Sequence, residues 1–129
     1  MNQITIKNEL LNFVVPAFIN EVASDTLEKL EISDTTIDFE FVGKDEIQTL
    51  NRQFRNIDKP TDVLSFPIEQ FNLKNNLLGS IVICPEIVDT KGEDLAAVVR
   101  HGILHLAGYD HETDEEKWQT AAKMFTEVL

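Results

Sequence analysis

The chain is poor in basic residues, in cysteine and in long apolar runs. Its 11 lysines and arginines stand against 23 aspartates and glutamates, a net charge of −12, which weakens any expectation that its whole surface binds polyanions. The single cysteine, Cys84, excludes an intrachain disulfide and is typical of a reducing compartment. No apolar run is long enough to span a bilayer, and the start MNQITIKNEL lacks the pattern of a signal peptide. We therefore expect a cytoplasmic protein that makes no membrane contact.

Hydrophobic periodicity predicts a folded α+β domain over residues 1–129. The length suits one domain, and an apolar content of 43% suits a buried core. The predicted order of elements is β-α-β-α-β-β-α-α, which we interpret as a single mixed sheet of about four strands packed with helices. The predicted strands are Gln3–Asn8, Thr35–Gly43, Val63–Ile68 and Leu77–Pro85. The predicted helices are Leu10–Leu30, Lys44–Arg55, a helix from Asp89 or Thr90 to Ala107, and Asp114–Leu129.

All three histidines lie in one stretch, HGILHLAGYDH, at positions 101, 105 and 111. His101 and His105 are four residues apart in a predicted helix, so their rings share one face. Gly108 is placed to end this helix in a left-handed conformation, which lets His111 return toward the same point. Three neutral imidazoles that leave a fourth position to water are the ligand set of a catalytic zinc. The stretch therefore predicts one zinc ion (Zn2+) per chain, held by His101, His105 and His111.

The glycine at position 102 separates this pattern from that of a zinc peptidase. The spacing equals the metzincin pattern H-E-x-x-H-x-x-G-x-x-H, but Gly102 stands where those enzymes carry their general base, a glutamate. Asp110, Glu112 and Asp114 are close in sequence, yet none has the helical position required. The alternative without a metal is that the histidines cap a helix or fill the core. Their spacing, the glycine hinge and the absence of any other histidine favour a metal.

A second stretch, NRQFRNIDKPTDVLSFP at residues 51–67, places three cations where a helix leads into a loop. Arg52, Arg55 and Lys59 lie there, in the part of the chain (51–100) with the least negative balance. A guanidinium presents planar donors that suit phosphate oxygens. Cations at a helix C-terminus also occur simply as a solvated end. With a zinc site elsewhere in the chain, an arginine that neutralises a phosphodiester becomes the favoured interpretation.

Taken together, these stretches resemble the YbeY family of bacterial endoribonucleases. The resemblance rests on Asn51, Phe54-Arg55, the block from Asp58 to Pro67, Leu78-Gly79, the block from Ile81 to Pro85, and the histidine stretch. It implies that His101, His105 and His111 are the zinc ligands, with His101 part of the catalytic centre. It also implies that Arg55 binds the substrate and takes part in catalysis.

Two positions depart from the pattern of that family. Ser80 stands where the family often has an aspartate, and Arg100 stands at a position that is commonly apolar. We expect the first to alter a hydrogen bond near the site and the second to add a cation close to the metal. Neither departure removes a ligand.

The resemblance implies one zincin-like, metal-dependent hydrolase domain that cleaves single-stranded RNA. It further implies a role in maturing the 3′ end of small-subunit (16S) rRNA and in ribosome quality control, with the ribosome and ribosomal proteins as partners. A zinc peptidase is one alternative, favoured by the histidine spacing and opposed by Gly102 and the arginines. A zinc-stabilised module that binds the ribosome without catalysis is another, although three ligands do not close the shell of a structural zinc.

Overall fold

A computed structural model describes residues 2–67 and 77–108, which form an α+β fold around one four-stranded sheet. The elements are β1 (Gln3–Asn8), α1 (Phe18–Lys29), β2 (Thr36–Phe41), α2 (Lys44–Arg55), β3 (Val63–Pro67), β4 (Leu77–Ile83), α3 (Pro85–Thr90) and α4 (Leu95–Leu106). The predicted fold class is confirmed. His111 and the predicted helix Asp114–Leu129 lie outside the described residues. Within the described ranges, no helix is both long and apolar enough to cross a membrane.

The sheet is mixed, and its strands follow the order β1-β2-β4-β3. Strands β1, β2 and β4 are parallel, while β3 runs antiparallel to β4 at the edge. Ile81 and Ile83 of β4 belong to the larger hydrophobic cluster, which α1 and α4 cover. Val82 points to the other face, in a smaller cluster with Ile47 of α2. The nearly all-apolar sequence of β4 thus reflects burial on both faces. Strand β3, at the edge of the sheet, packs beside α4.

The first helix is shorter than its apolar pattern predicts. The prediction of a helix from Leu10 is wrong, because α1 begins at Phe18. The Asn8 side chain holds a local turn instead: its oxygen accepts from the Leu10 amide at 3.0 Å, and its amide donates to the Phe13 carbonyl at 2.7 Å. Such side-chain bonds compete with helical ones, and Pro16 disfavours helical geometry in the residue before it.

The region before the first histidine contains two helices rather than one. Asp89 and Thr90, predicted as N-caps, lie at the end of α3, and the N-cap of α4 is Asp94. Gly92 separates the two helices with φ of +68°, a value that glycine adopts without strain. The prediction of one continuous helix is therefore wrong in its start, although α4 still carries both His101 and His105 on its second half.

Candidate active site

A cleft of about 930 Å³ lies between the end of α2, strand β3 with the loop before it, and helix α4. Three of the four site residues predicted from the sequence, Arg55, His101 and His105, line this one cleft. The fourth, His111, lies outside the described residues. The other lining residues are Phe54, Glu93, Asp94, Ala97, Val98 and the segment from Thr61 to Pro67. The cleft therefore joins the two stretches that carry the sequence motifs.

His101 and His105 occupy adjacent turns of α4, and both are half-buried. Their Nε2 atoms are 3.0 Å apart, and the ring centroids are separated by 4.7 Å. Two nitrogens bound to one tetrahedral zinc at about 2.0–2.1 Å lie roughly 3.3 Å apart. The pair therefore fits two ligand positions of such an ion after a small outward movement. Gly108, which follows α4, has φ of +92°, so the predicted turn after the histidine pair is present.

Arg55 is the last residue of α2, whose bounds agree with the prediction. The chain reverses directly after it, because Asn56 adopts a left-handed conformation with φ of +59°. Asn51, only 2% exposed, ties the loop that follows back onto the helix by donating from Nδ2 to the Lys59 carbonyl at 2.8 Å. This clamp positions the end of α2, and with it Arg55, at the cleft.

The three cations of the second stretch do not act together in the structure. Arg55 lines the cleft, whereas Arg52 and Lys59 are not among its described lining residues. Arg52 instead forms an exposed ion pair with Asp58, with 3.6 Å between Nη1 and Oδ1. Of the three, Arg55 is the one placed to meet a substrate in the cleft, and Arg52 has the solvated role that helix ends often show.

Gly102 lies where α4 comes closest to the sheet. A Cβ atom at this position would be 3.0 Å from Cγ2 and 3.2 Å from Cδ1 of Ile81, and 3.4 Å from the Ser65 hydroxyl. That hydroxyl donates to the Gly102 carbonyl at 3.1 Å, which holds the helix against β3. The absence of the peptidase glutamate thus has a packing reason, since a side chain on this face of α4 would require Ile81 or the helix to shift.

A pair of carboxyl groups, Asp62 and Glu93, also lines the cleft. Oδ1 of Asp62 accepts from the Val63 amide at 2.9 Å and from the Thr61 hydroxyl at 3.1 Å. Burial opposes ionisation of Asp62, but hydrogen bonds from Glu93 and Thr61 and the charge of Lys91 outweigh it and lower its pKa. Burial raises the pKa of Glu93, and both the hydrogen bond with Asp62 and the negative charge of Asp62 raise it further. Glu93 is therefore the member of the pair that keeps a proton longer.

Sequence reasoning missed the carboxylates at the start of α4. It considered Asp110, Glu112 and Asp114 as candidate bases, all of which lie outside the described residues, and did not consider Glu93 or Asp94. A signal was present, because Asp94 lies seven residues before His101, a spacing of about two helical turns on one face. It was hidden because the predicted helix started too early.

The two departures from the family pattern border the cleft but are not among its described lining residues. Ser80 is on β4, where it pairs with Asp38 of β2 and Phe66 of β3. Arg100 precedes His101, but the lining formed by residues 2–67 and 77–108 includes neither it nor Ser80. Arg100 is half-buried on α4, and the expectation that its charge acts on the metal stays a prediction.

A separate acidic group lies outside this cleft. Ligand oxygens of Glu9, Glu40 and Glu46 are within 4.8 Å of one another. Lys7 pairs with this group, at 3.1 Å from Glu9 and 3.9 Å from Glu40. Burial and the neighbouring Glu9 raise the pKa of Glu40, while hydrogen bonds from Glu46 and Lys7 lower the pKa of Glu9. The ion pairs with Lys7 thus partly balance the charge of this group.

Comparison with known proteins places the geometry in a family. The family model for Endoribonuclease YbeY matches residues 2–128. Curated proteins of that name include one from Aliarcobacter butzleri, 45% identical over 104 residues (73% of this chain and 74% of that protein). One from Persephonella marina is 35% identical over 140 aligned positions (100% and 92%). One from Thermotoga maritima is 43% identical over 100 residues, which cover 71% of this chain but only 64% of that protein.

A solved structure agrees with these matches. The solution structure of a protein from Thermotoga maritima has a TM-score of 0.52 and 34% sequence identity, and the match covers 98% of this chain and 89% of that one. The alignment thus extends over the sheet, the cleft and the histidine stretch. The chain belongs to the endoribonuclease YbeY family.

Proposed function

We propose that this chain is a zinc-dependent endoribonuclease that cleaves single-stranded RNA. The observation that carries the proposal is the shared cleft of Arg55 and the His101–His105 pair, in a chain of the YbeY family. The imidazoles suit a metal, and the guanidinium suits a phosphate. A phosphodiester is the substrate that uses both groups. The names of the related proteins support the same chemistry.

The finer role that we propose is maturation of the 3′ end of small-subunit (16S) rRNA and ribosome quality control. The partners would be rRNA, the ribosome and ribosomal proteins in the cytoplasm, and the whole chain, 1–129, would act as one hydrolase domain. The resemblance of the PTDVLSFP and histidine stretches to the family supports this role. The acidic surface, with its net charge of −12, suits docking on basic ribosomal proteins.

The residues that would hold the ion, one per chain, are His101, His105 and His111. A zinc ion bound there supplies Lewis acidity and makes water a stronger acid. Arg55 binds a phosphoryl oxygen and neutralises the negative charge that grows on it as the phosphodiester is attacked. The chain has no fourth histidine, and we propose that a carboxyl group carries the proton. Glu93, whose pKa is raised beside Asp62, is the group in the cleft best suited to hold that proton.

Metal content and RNA cleavage measured on the same preparation test the proposal. We expect about one zinc per chain, loss of zinc in His105→Ala, and cleavage of a single-stranded RNA that a chelator abolishes. A purified chain that takes up no metal when zinc is supplied would contradict the assignment of the histidines. Metal binding without cleavage of any RNA would contradict the proposed activity instead.

The role of Arg55 has a matched control in the same helix. Arg55→Ala is expected to keep its zinc and to lower kcat/KM for RNA about 100-fold, the scale seen when one group that stabilises transition-state charge is removed. Arg52→Ala removes an equal charge three residues earlier, outside the described lining of the cleft, and is expected to change cleavage little. Equal losses in the two variants would remove Arg55 from the mechanism.

Two alternatives are outcomes of the same measurements. A panel of peptide and RNA substrates, with and without chelator, separates a nuclease from a zinc peptidase. A peptidase would need another general base, because Gly102 replaces the usual glutamate. A ribosome-binding module without activity would bind zinc, cleave nothing and unfold when zinc is removed. A chelated chain that stays folded but loses RNA cleavage supports the enzyme.

A further inference from the structure

The side chain of Phe54 is unusually open for a phenylalanine next to a candidate catalytic residue. It is 64% exposed, it lines the cleft, and it directly precedes Arg55. Its contact with Phe66 is T-shaped, with ring centroids 5.1 Å apart and an angle of 70° between the planes. A T-shaped contact covers at most one face of each ring. At least one face of Phe54 is therefore not covered by Phe66.

The charge of the cleft does not by itself explain how RNA would be held. Among its described lining residues, Asp62, Glu93 and Asp94 are acidic, whereas Arg55 is the basic residue. The chain as a whole carries a net charge of −12. Affinity for nucleic acid that rests on phosphate contacts comes from counterions released by cations, and the described lining offers Arg55 beside the proposed zinc site. These two groups can hold one phosphate, so further affinity for a single strand would come from a contact that does not depend on charge.

Stacking of a base on an aromatic ring is such a contact. It contributes substantial affinity per base, and it tolerates any sequence because every base has a flat face. We propose that Phe54 is a stacking platform for one base of single-stranded RNA, next to the phosphate that Arg55 binds. This inference rests on the proposed function and adds a binding residue to it. It also accounts for a single-strand preference, because both faces of a base inside a duplex are already covered.

Binding of a labelled single-stranded 2′-O-methyl RNA, measured by fluorescence anisotropy on the zinc-loaded chain, tests the inference without cleavage. Phe54→Leu keeps an apolar side chain but loses the aromatic face, and we expect its Kd to rise about fivefold or more. Phe54→Tyr keeps the face and is expected to stay within about twofold of the parent chain. Ile57→Ala, which shortens an exposed apolar residue that is not among the described lining residues, is the matched control and is expected to bind normally.

The salt dependence separates stacking from charge. Phe54→Leu should weaken binding by the same factor at every salt concentration, whereas Arg55→Ala should reduce the slope of log Kd against log salt by about 0.7, the value for one phosphate contact on a single strand. An RNA with one base removed at successive positions adds a second test. One abasic position should weaken binding to the parent chain and have no effect on Phe54→Leu.

Unchanged affinity in Phe54→Leu, equal losses in the Leu and Tyr variants, or no binding by the parent chain would overturn the stacking role. The outcome is distinguishable from failure of the proposed function. RNA that is bound through Phe54 but never cleaved in its unmodified form leaves the platform standing and refutes the nuclease. Normal affinity together with RNA cleavage in Phe54→Leu would refute the stacking platform and leave the nuclease standing.

Discussion

The close approach of α4 to the sheet at Gly102 gives the sharpest prediction about stability. In Gly102→Ala, the new methyl group would be 3.0 Å from Cγ2 of Ile81, well inside the optimal carbon–carbon distance of about 3.5–4.0 Å. Ile81 is fully buried, so either its side chain or the helix must move. Overpacking of this kind costs about 1–3 kcal/mol.

A gain in helix propensity opposes this cost. Alanine is favoured over glycine in a helix interior by about 1 kcal/mol. We therefore expect Gly102→Ala to lower the free energy of unfolding by roughly 1 kcal/mol net, which corresponds to a fall of about 3–5 °C in Tm for a chain of this size. Urea unfolding followed by far-UV circular dichroism measures the change, provided that the m-value stays constant.

A double-mutant cycle with Ile81→Ala, which removes both Ile81 atoms that the new methyl group would meet, is the specific control. Ile81→Ala alone is expected to cost about 2–5 kcal/mol by leaving a cavity. In that background, Gly102→Ala should be neutral or stabilising, so the two changes should couple by at least about 1 kcal/mol. Comparison of Ser24→Ala with Ser24→Gly, at an exposed interior position of α1, measures the propensity term separately. Equal stabilisation of about 1 kcal/mol by Gly102→Ala in both backgrounds would refute the close approach.

Three further outcomes are expected. Asn51→Ala loses the hydrogen bond to the Lys59 carbonyl. It should lower the free energy of unfolding, measured in urea, by about 1–3 kcal/mol, and it should also lower RNA cleavage. Normal cleavage would show that this hydrogen bond does not position Arg55. The pKa of Glu93 is raised in the folded chain, so its contribution to stability is present below pH 4.5 and is lost as pH rises through the raised value. The Tm of Glu93→Gln, taken relative to the Tm of the parent chain, should therefore rise as the pH is raised from 4 to 7. A difference in Tm that does not change with pH would contradict the pairing with Asp62. Removal of metal by a chelator should leave the circular dichroism spectrum unchanged, because His101 and His105 are only half-buried and other side chains form the buried core of the described residues. Unfolding would favour the structural-zinc alternative.

Local periodicity determined a large part of this protein. Alternation gave the correct position of β1 and β2, and the helical period gave α2 with its observed ends. The four-residue spacing of His101 and His105 was enough to predict that their rings share a face, since a helix repeats every 3.6 residues. These features depend on neighbours in the chain, which is why the sequence reveals them.

The errors arose where side-chain bonds or a glycine override that periodicity. The apolar pattern from Leu10 continues the helical period, but Asn8 and Pro16 prevent the helix until Phe18. The pattern before His101 is also continuous, yet Gly92 divides it into α3 and α4. In each case one or two residues with a strong local preference decided the conformation against the weaker sum of their neighbours.

The tertiary structure decided which of the predicted residues meet. Arg55 and His101 are far apart in sequence and come together because β3 pairs with β4 at the edge of the sheet and α4 packs over both. The same packing brings Glu93 to Asp62 and gives Gly102 its steric role. Contacts of this kind depend on strand order and on the distance between layers, and neither is encoded in the period of a single element. The sequence by itself therefore determined the ligand pair and the candidate arginine, while only the fold made them one cleft.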